Sequence, residues 1–161
     1  MNFDKSIDPS NMFESIYNFS SQMKEAKSIG EGIILKNSYK DVQNIVLCGM
    51  GGSAIGGDLS KSLVKSSLNI PMFVNRNYSL PNWVNSNSLV IASSYSGNTE
   101  ESLAAYHEAI SKGATVIGIT TGGKLASLLD DNNNDKVLIP AGLQPRAAVA
   151  FSFIPLLYLL E

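Results

Sequence analysis

The chain has little of what reactive metal and thiol sites are built from. Its 161 residues include one cysteine, Cys48, and one histidine, His107. A lone cysteine excludes an internal disulfide and any zinc cluster of several thiolates. A lone histidine excludes a multi-histidine metal site, so neither metal nor cofactor is expected. Charge of one sign is also scarce: 12 basic against 14 acidic residues leave a net charge of −2 and no basic footprint for nucleic acid. Only two of the basic residues are arginines, Arg76 and Arg146. Long apolar runs are missing too. Ala147–Leu160 (AAVAFSFIPLLYLL) is uncharged but shorter than the ~20 residues of a membrane span, and it contains Pro155. It reads as a helix buried in a core or an interface. The opening MNFDKSID carries Asp4 and Asp8 and lacks the apolar centre of a signal peptide, so a cytoplasmic protein is expected.

What remains has a clear order. The length suits one compact domain of ~100–200 residues. Ser10–Ser28 reads as an amphipathic helix, with Met12, Phe13, Ile16, Phe19, Met23 and Ala26 recurring at three and four, Ser10 as cap and Gly30 as stop. From Asn44 onward, short all-apolar runs alternate with helical stretches. The runs are Ile45–Cys48, Met72–Val74, Leu89–Ala92, Thr115–Ile119 and Val137–Ile139, as parallel strands covered on both faces require. Helices are expected around Ala54–Val64, Glu100–Lys112 and Lys124–Leu129, with Asn75–Ser88 as loop and Asp130–Asp135 as a polar surface turn. The fold expected is α/β: a three-layer α-β-α sandwich around a five-stranded parallel sheet, flavodoxin-like or Rossmann-like. Residues 1–43 form an N-terminal helical segment and 44–161 the sheet domain. Ligands of such sheets bind beyond the carboxyl ends of the strands, so function is sought in those loops.

The first loop, Gly49 to Gly57, holds more glycine than a turn needs and opens a helix near Ser53. Free helix-end N–H groups there, with the Ser53 hydroxyl, favour phosphate or carboxylate. Gly49, Gly51 and Ala54 also fit the dinucleotide fingerprint G-x-G-x-x-A. The acidic residue wanted after the second strand is replaced by Asn75 and Arg76, which weakens NAD and leaves NADP as an alternative. After the third strand, Ser94, Ser96 and Thr99 surround a glycine turn, a neutral cup for an oxyanion. Asn98 and Glu101 resemble a capping box. A second phosphate-type loop is redundant for a nucleotide fold and favours a small phosphorylated ligand. Thr120–Lys124 either lines the site or is an ordinary turn. In the last loop, Arg146 stands where a guanidinium can hold an anion or a developing oxyanion, or else an ion-pair partner. His107 reads as a helix-surface residue, and Cys48 as a small buried packing residue. Glu100 and Glu101 are explained by the preference of acids for a helix's first turn.

The segments GMGGSAIGGDL, SYSGNTEE, ITTGGKL and PAGLQPRAAVAF, in that order, resemble the SIS (sugar isomerase) domain family. Within it the likeness is to the bifunctional phosphoglucose/phosphomannose isomerases, over Asn44–Glu161. The resemblance implies a phosphorylated hexose as ligand, with Gly52, Ser53, Ser94, Ser96 and Thr99 holding its phosphate. It implies Arg146 as the catalytic arginine that stabilises an enediolate during aldose–ketose isomerisation. The uncharged Ala147–Leu160, without cover if a second domain is missing, points separately to self-association as a homodimer. The resemblance also implies that the base glutamate and ring-opening histidine belong to a second, C-terminal SIS domain. These residues then correspond to an N-terminal half and are expected to be inactive alone. A sugar-phosphate sensor is the other reading, and it calls for an attached basic recognition helix that residues 1–43 do not supply.

Overall fold

The structure, a computed structural model, describes residues 6–161. Met1–Lys5, which include part of the opening segment read above, lie outside the described residues. Five strands, β1 (Asn44–Cys48), β2 (Met72–Asn75), β3 (Ser88–Ser94), β4 (Thr115–Thr120) and β5 (Asp135–Leu138), form one sheet in the order β2-β1-β3-β4-β5. All four pairings are parallel, with Ile45 opposite Met72 and Leu89, and Ile117 opposite Asp135. The expected five-stranded parallel sheet is present, and residues 76–87 carry no regular helix.

Alternation along each strand divides the core in two. Ile45, Leu47, Leu89, Ile91, Ile117 and Ile119 face one side with Ala26, Ala150, Phe151 and Leu156. Val46, Cys48, Val90 and Val116 face the other with Ala105, Tyr106, Leu125 and Leu129. The second layer is α4 (Glu100–Ser111) and α5 (Gly123–Asp131). The first layer is α2 (Phe19–Glu31), α3 (Gly51–Val64) and α6 (Val149–Leu159), with α6 in contact with both of the others. The uncharged run is therefore mainly an internal helix: Ala150, Phe151, Ser152, Pro155 and Leu156 are buried. No helix among the described residues is long and apolar enough to cross a membrane.

The N-terminal segment departs from its amphipathic reading. It breaks at Asn18 into α1 (Met12–Tyr17) and α2. The carboxylate of Asp8, rather than Ser10, accepts the Met12 and Phe13 N–H groups, each at 2.8 Å. Gly30 does not stop α2; it is buried inside it, where a Cβ would meet the Tyr158 ring at 2.2 Å. Of the expected apolar stripe only Ala26 is buried, while Ile16, Phe19 and Met23 are exposed. The reason is close approach. α2 meets α6 through its small residues, so the bulky ones at other angles turn outward.

Asp130–Asp135 is likewise more than a surface turn. Asp135 opens β5, is 3% exposed, and accepts hydrogen bonds from the Lys36 N–H (2.9 Å), the Asn37 N–H (3.0 Å), the Asn37 amide (3.1 Å) and the Tyr39 hydroxyl (2.6 Å). It ties the segment after α2 to the sheet edge. Burial pushes the Asp135 carboxyl up, but the Tyr39 hydroxyl, both backbone donors and the Asn37 amide outweigh it, and the net shift is downward. A depressed carboxyl stabilises the fold above its unfolded value, near ~3.9, and that stability is lost as pH falls through the folded value. Asp135→Ala strands buried donors, each costing about 1–3 kcal/mol. Chemical denaturation is expected to show a loss of about 2 kcal/mol or more at pH 7. The gap to the wild type narrows below about pH 4.

Candidate functional site

Strand order reverses direction between β1 and β3, so the loops leaving these strands face each other across the switch point. After β1 the chain turns at once into α3, which begins at Gly51, before the expected start near Ser53. Ser53 therefore sits within the first turn, 8% exposed, its N–H donating to the Met50 carbonyl at 3.0 Å. The Gly51 and Gly52 N–H groups have no acceptor among the described residues, as the first turn of a helix dictates. The loop lies against the end of β3: a Cβ on Gly49 would be 3.0 Å from the Ser93 carbonyl oxygen.

The loop after β3 supplies the hydroxyls. Ser94 and Thr99 form a hydroxyl pair, Oγ to Oγ1 2.9 Å, and Ser94 Oγ also accepts the Gly97 N–H at 3.1 Å. The exposed Ser96 accepts the Asn98 N–H through its Oγ at 3.2 Å. Thr99 caps α4 in extended conformation without a side-chain cap, and the Glu100 and Glu101 N–H groups have no acceptor among the described residues. The expected Asn98–Glu101 capping box does not form. The Asn98 side chain instead accepts the Lys124 N–H at 3.1 Å and donates to the Ser96 carbonyl at 3.1 Å, joining two loops. Gly97, at φ 67°, must be glycine: a Cβ there would fall 1.8 Å from the Gly122 carbonyl oxygen. Thr120–Lys124 thus buttresses the hydroxyl loop, with the Thr121 hydroxyl donating to the Tyr95 carbonyl at 2.7 Å.

Arg146 lies in a 3₁₀ turn, Pro145–Ala147, that precedes α6. Gly52 brings it to the site: a Cβ on Gly52 would lie 2.6 Å from the Pro145 carbonyl oxygen and 3.6 Å from the Arg146 Cα. The contact is locked from α6, where Ser152 Oγ donates to the Gly52 carbonyl at 3.1 Å. Gly52 and Ser53 in the first turn of α3, Ser94 at the end of β3, Ser96 and Thr99 in the loop after it, and Arg146 in its 3₁₀ turn therefore all lie at one end of the sheet. Arg146 is exposed and makes no ion pair among the described residues. Arg76, by contrast, is ion-paired with Asp58 of α3 at the surface. His107 is exposed on α4. Cys48 is buried, and burial first, then the charge of Glu108, against a hydrogen bond from Asn75, push its thiol up to about 12. Missed in the sequence was Tyr95, whose hydroxyl accepts the Leu143 N–H at 3.0 Å. Its only sequence signal was an aromatic residue between two serines of a hydroxyl-rich loop.

Two measurements follow from this geometry. Gly52→Ala drives a methyl group into the Pro145 backbone, an overpacking cost of about 1–3 kcal/mol, so Tm is expected to fall by roughly 2–4 °C per kcal/mol. Cys48, held as thiol, is expected to resist alkylation at pH 8 until denaturant is added, as mass spectrometry would record.

The family model for the SIS domain matches residues 38–152. The bifunctional phosphoglucose/phosphomannose isomerase of Caldicellulosiruptor bescii is 53% identical over 148 residues, 92% of this chain and 44% of that protein. The protein of the same name from Thermoplasma acidophilum is 40% identical over 136 residues, 83% of this chain and 42% of that one. The chain thus spans less than half the length of these relatives. Among solved structures, the C-terminal domain of glucosamine-fructose-6-phosphate aminotransferase from Francisella tularensis aligns with a TM-score of 0.69 at 19% identity, over 91% of this chain and 46% of that one, a likeness of fold. With the family model matching most of its length, the chain belongs to the SIS domain family.

Proposed function

We propose that residues 44–161 are the sugar-phosphate-binding, N-terminal half of an aldose–ketose isomerase that interconverts glucose 6-phosphate or mannose 6-phosphate with fructose 6-phosphate. The observation that carries this is the seating of the Arg146 turn on Gly52, beside two loops of hydroxyls and free N–H groups. In this reading the phosphate sits among Ser53, Ser94, Ser96, Thr99 and the Gly52 N–H. Neutral donors at helix starts hold a dianion without cationic side chains. Arg146 faces the other end of the open-chain sugar. As the proton leaves C2, negative charge grows on the enediolate oxygens, and a guanidinium there lowers the barrier. Glucose and mannose differ only at that carbon, so one enediolate serves both. The names of the two relatives, at 53% and 40% identity, support the reading. Their additional length is where the base and the ring-opening acid belong.

The same reading takes the protein to be a cytoplasmic homodimer. It is supported by Ile55, Leu59 and Leu63, spaced four apart and exposed along α3. Sedimentation as a monomer at micromolar concentration would remove that element.

Ligand binding raises stability by about 2.7 kcal/mol at a hundredfold excess over Kd. Glucose 6-phosphate or fructose 6-phosphate is therefore expected to raise Tm by roughly 5–10 °C, with unphosphorylated glucose inert. Arg146→Ala leaves this shift largely in place, because the phosphate is held elsewhere. In a coupled assay the 161-residue chain alone is expected to show little or no turnover. An equal shift by glucose, or vigorous turnover, would contradict the proposal.

A further inference from the structure

We infer that Tyr95 is a positioning residue: it fixes the turn carrying Arg146 to the loop that holds the anion. The inference rests on the function proposed above and deepens it. Tyr95 stands between Ser94 and Ser96, so its backbone belongs to the hydroxyl loop. Its carbonyl oxygen accepts both the Thr121 N–H at 3.1 Å and the Thr121 hydroxyl at 2.7 Å, which ties it to the loop after β4. Its hydroxyl accepts the Leu143 N–H at 3.0 Å, three residues before Arg146. One residue therefore bonds to both neighbouring loops from within the third.

The Leu143 bond has no substitute. Of the N–H groups of residues 141–144, that of Leu143 alone has an acceptor among the described residues, and Pro140 and Pro145 have none to offer. Gly142, at φ 99°, gives the segment a reversal but no anchor. The Tyr95 ring and Leu143 are both half-buried and pack against the same apolar cluster as Phe151 and Ile119. The ring thus has a fixed seat, and its hydroxyl a fixed place to present. Through Leu143 that hydroxyl sets where the approach to Arg146 lies relative to the free N–H groups and hydroxyls around Ser94–Thr99.

Tyr95→Phe keeps the ring seated and removes only the acceptor. The test titrates two probes into the 161-residue chain by calorimetry: inorganic phosphate, and arabinonate 5-phosphate, whose carboxylate mimics enediolate charge. Wild type, Tyr95→Phe, Arg146→Ala and the double variant are compared. Phosphate affinity is expected to stay within about twofold in Tyr95→Phe. The aldonate phosphate is expected to bind about tenfold more weakly, the scale of one lost hydrogen bond. Adding Tyr95→Phe to Arg146→Ala is expected to cost nothing more, since the two act through one group. Additive losses, or equal losses of both probes, would make Tyr95 a general structural residue and overturn the inference. A wild type that holds the aldonate phosphate no better than Arg146→Ala does would instead overturn the functional reading on which it rests. A second readout avoids variants: hydrogen exchange at the Leu143 amide of the wild type is expected to slow at least severalfold when the aldonate phosphate saturates the chain, the reciprocal of its weaker binding to Tyr95→Phe. An unchanged exchange rate would overturn the coupling.

Discussion

The first turn of α3 and the 3₁₀ turn before α6 meet backbone to backbone at Gly52, where even a methyl group would fall 2.6 Å from the Pro145 carbonyl oxygen. The arrangement of this end of the molecule depends on that contact. α6 is an uncharged helix that has to be covered, and it gains its cover by lying between α2 and α3 on the sheet. Such proximity requires small residues on the flanking helices. Gly56 of α3 faces Ser152, where a Cβ would lie 2.5 Å from the Ser152 Oγ, and Gly30 of α2 faces Tyr158. Ser152 then closes the arrangement by donating to the Gly52 carbonyl. Packing that hides an apolar helix is the same packing that delivers Arg146 to the carboxyl end of β1.

Electrostatics at this end of the sheet are set by hydrogen-bond donors. Gly51, Gly52, Glu100 and Glu101 present N–H groups without acceptors among the described residues, and Ser53, Ser94, Ser96 and Thr99 add hydroxyls. Two helix starts, α3 and α4, point their positive ends at this space. Such donors are fixed by the backbone and need no long side chain to be ordered. That economy explains how a chain with a net charge of −2 can offer a place for an anion. Arg146 meanwhile stays exposed, with no ion-pair partner among the described residues.

The sheet was legible because the middle of each central strand is apolar, as a doubly covered parallel strand requires. The edges fit less well, since β5 opens on Asp135 and Lys136, and Phe73 of β2 and Leu138 of β5 are exposed. The candidate loops were legible for a chemical reason: glycine and hydroxyl residues concentrated just after strands have few other uses. What escaped was set by contacts distant in sequence. Asp135 looked like part of a polar turn because its four donors lie nearly a hundred residues earlier, in Lys36–Tyr39. The stripe of Ile16, Phe19 and Met23 suggested a buried face, yet Ala26 and Gly30 decide which face α2 turns inward, because proximity to α6 outweighs bulk. Asn98 fitted a local capping pattern, but its side chain bonds to Lys124, twenty-six residues on.

Tight backbone contacts make the fold and the candidate site hard to change independently. A loop held by one long side chain can be adjusted by altering that side chain. Here the Arg146 turn is held by a glycine contact below, a serine hydroxyl from α6 and a tyrosine hydroxyl from the neighbouring loop. Close-packed interiors shift as units instead of deforming smoothly, so added bulk at Gly56 or Ser152 would move α6, and with it the turn at its start. The Ser152 and Tyr95 hydroxyls can both be removed without adding volume. That of Ser152 sits inside the buried contact between α3 and α6, however, whereas the Tyr95 hydroxyl bonds a half-buried loop. Of the three supports it is therefore the one through which the position of Arg146 can be varied while the packing beneath it stays in place.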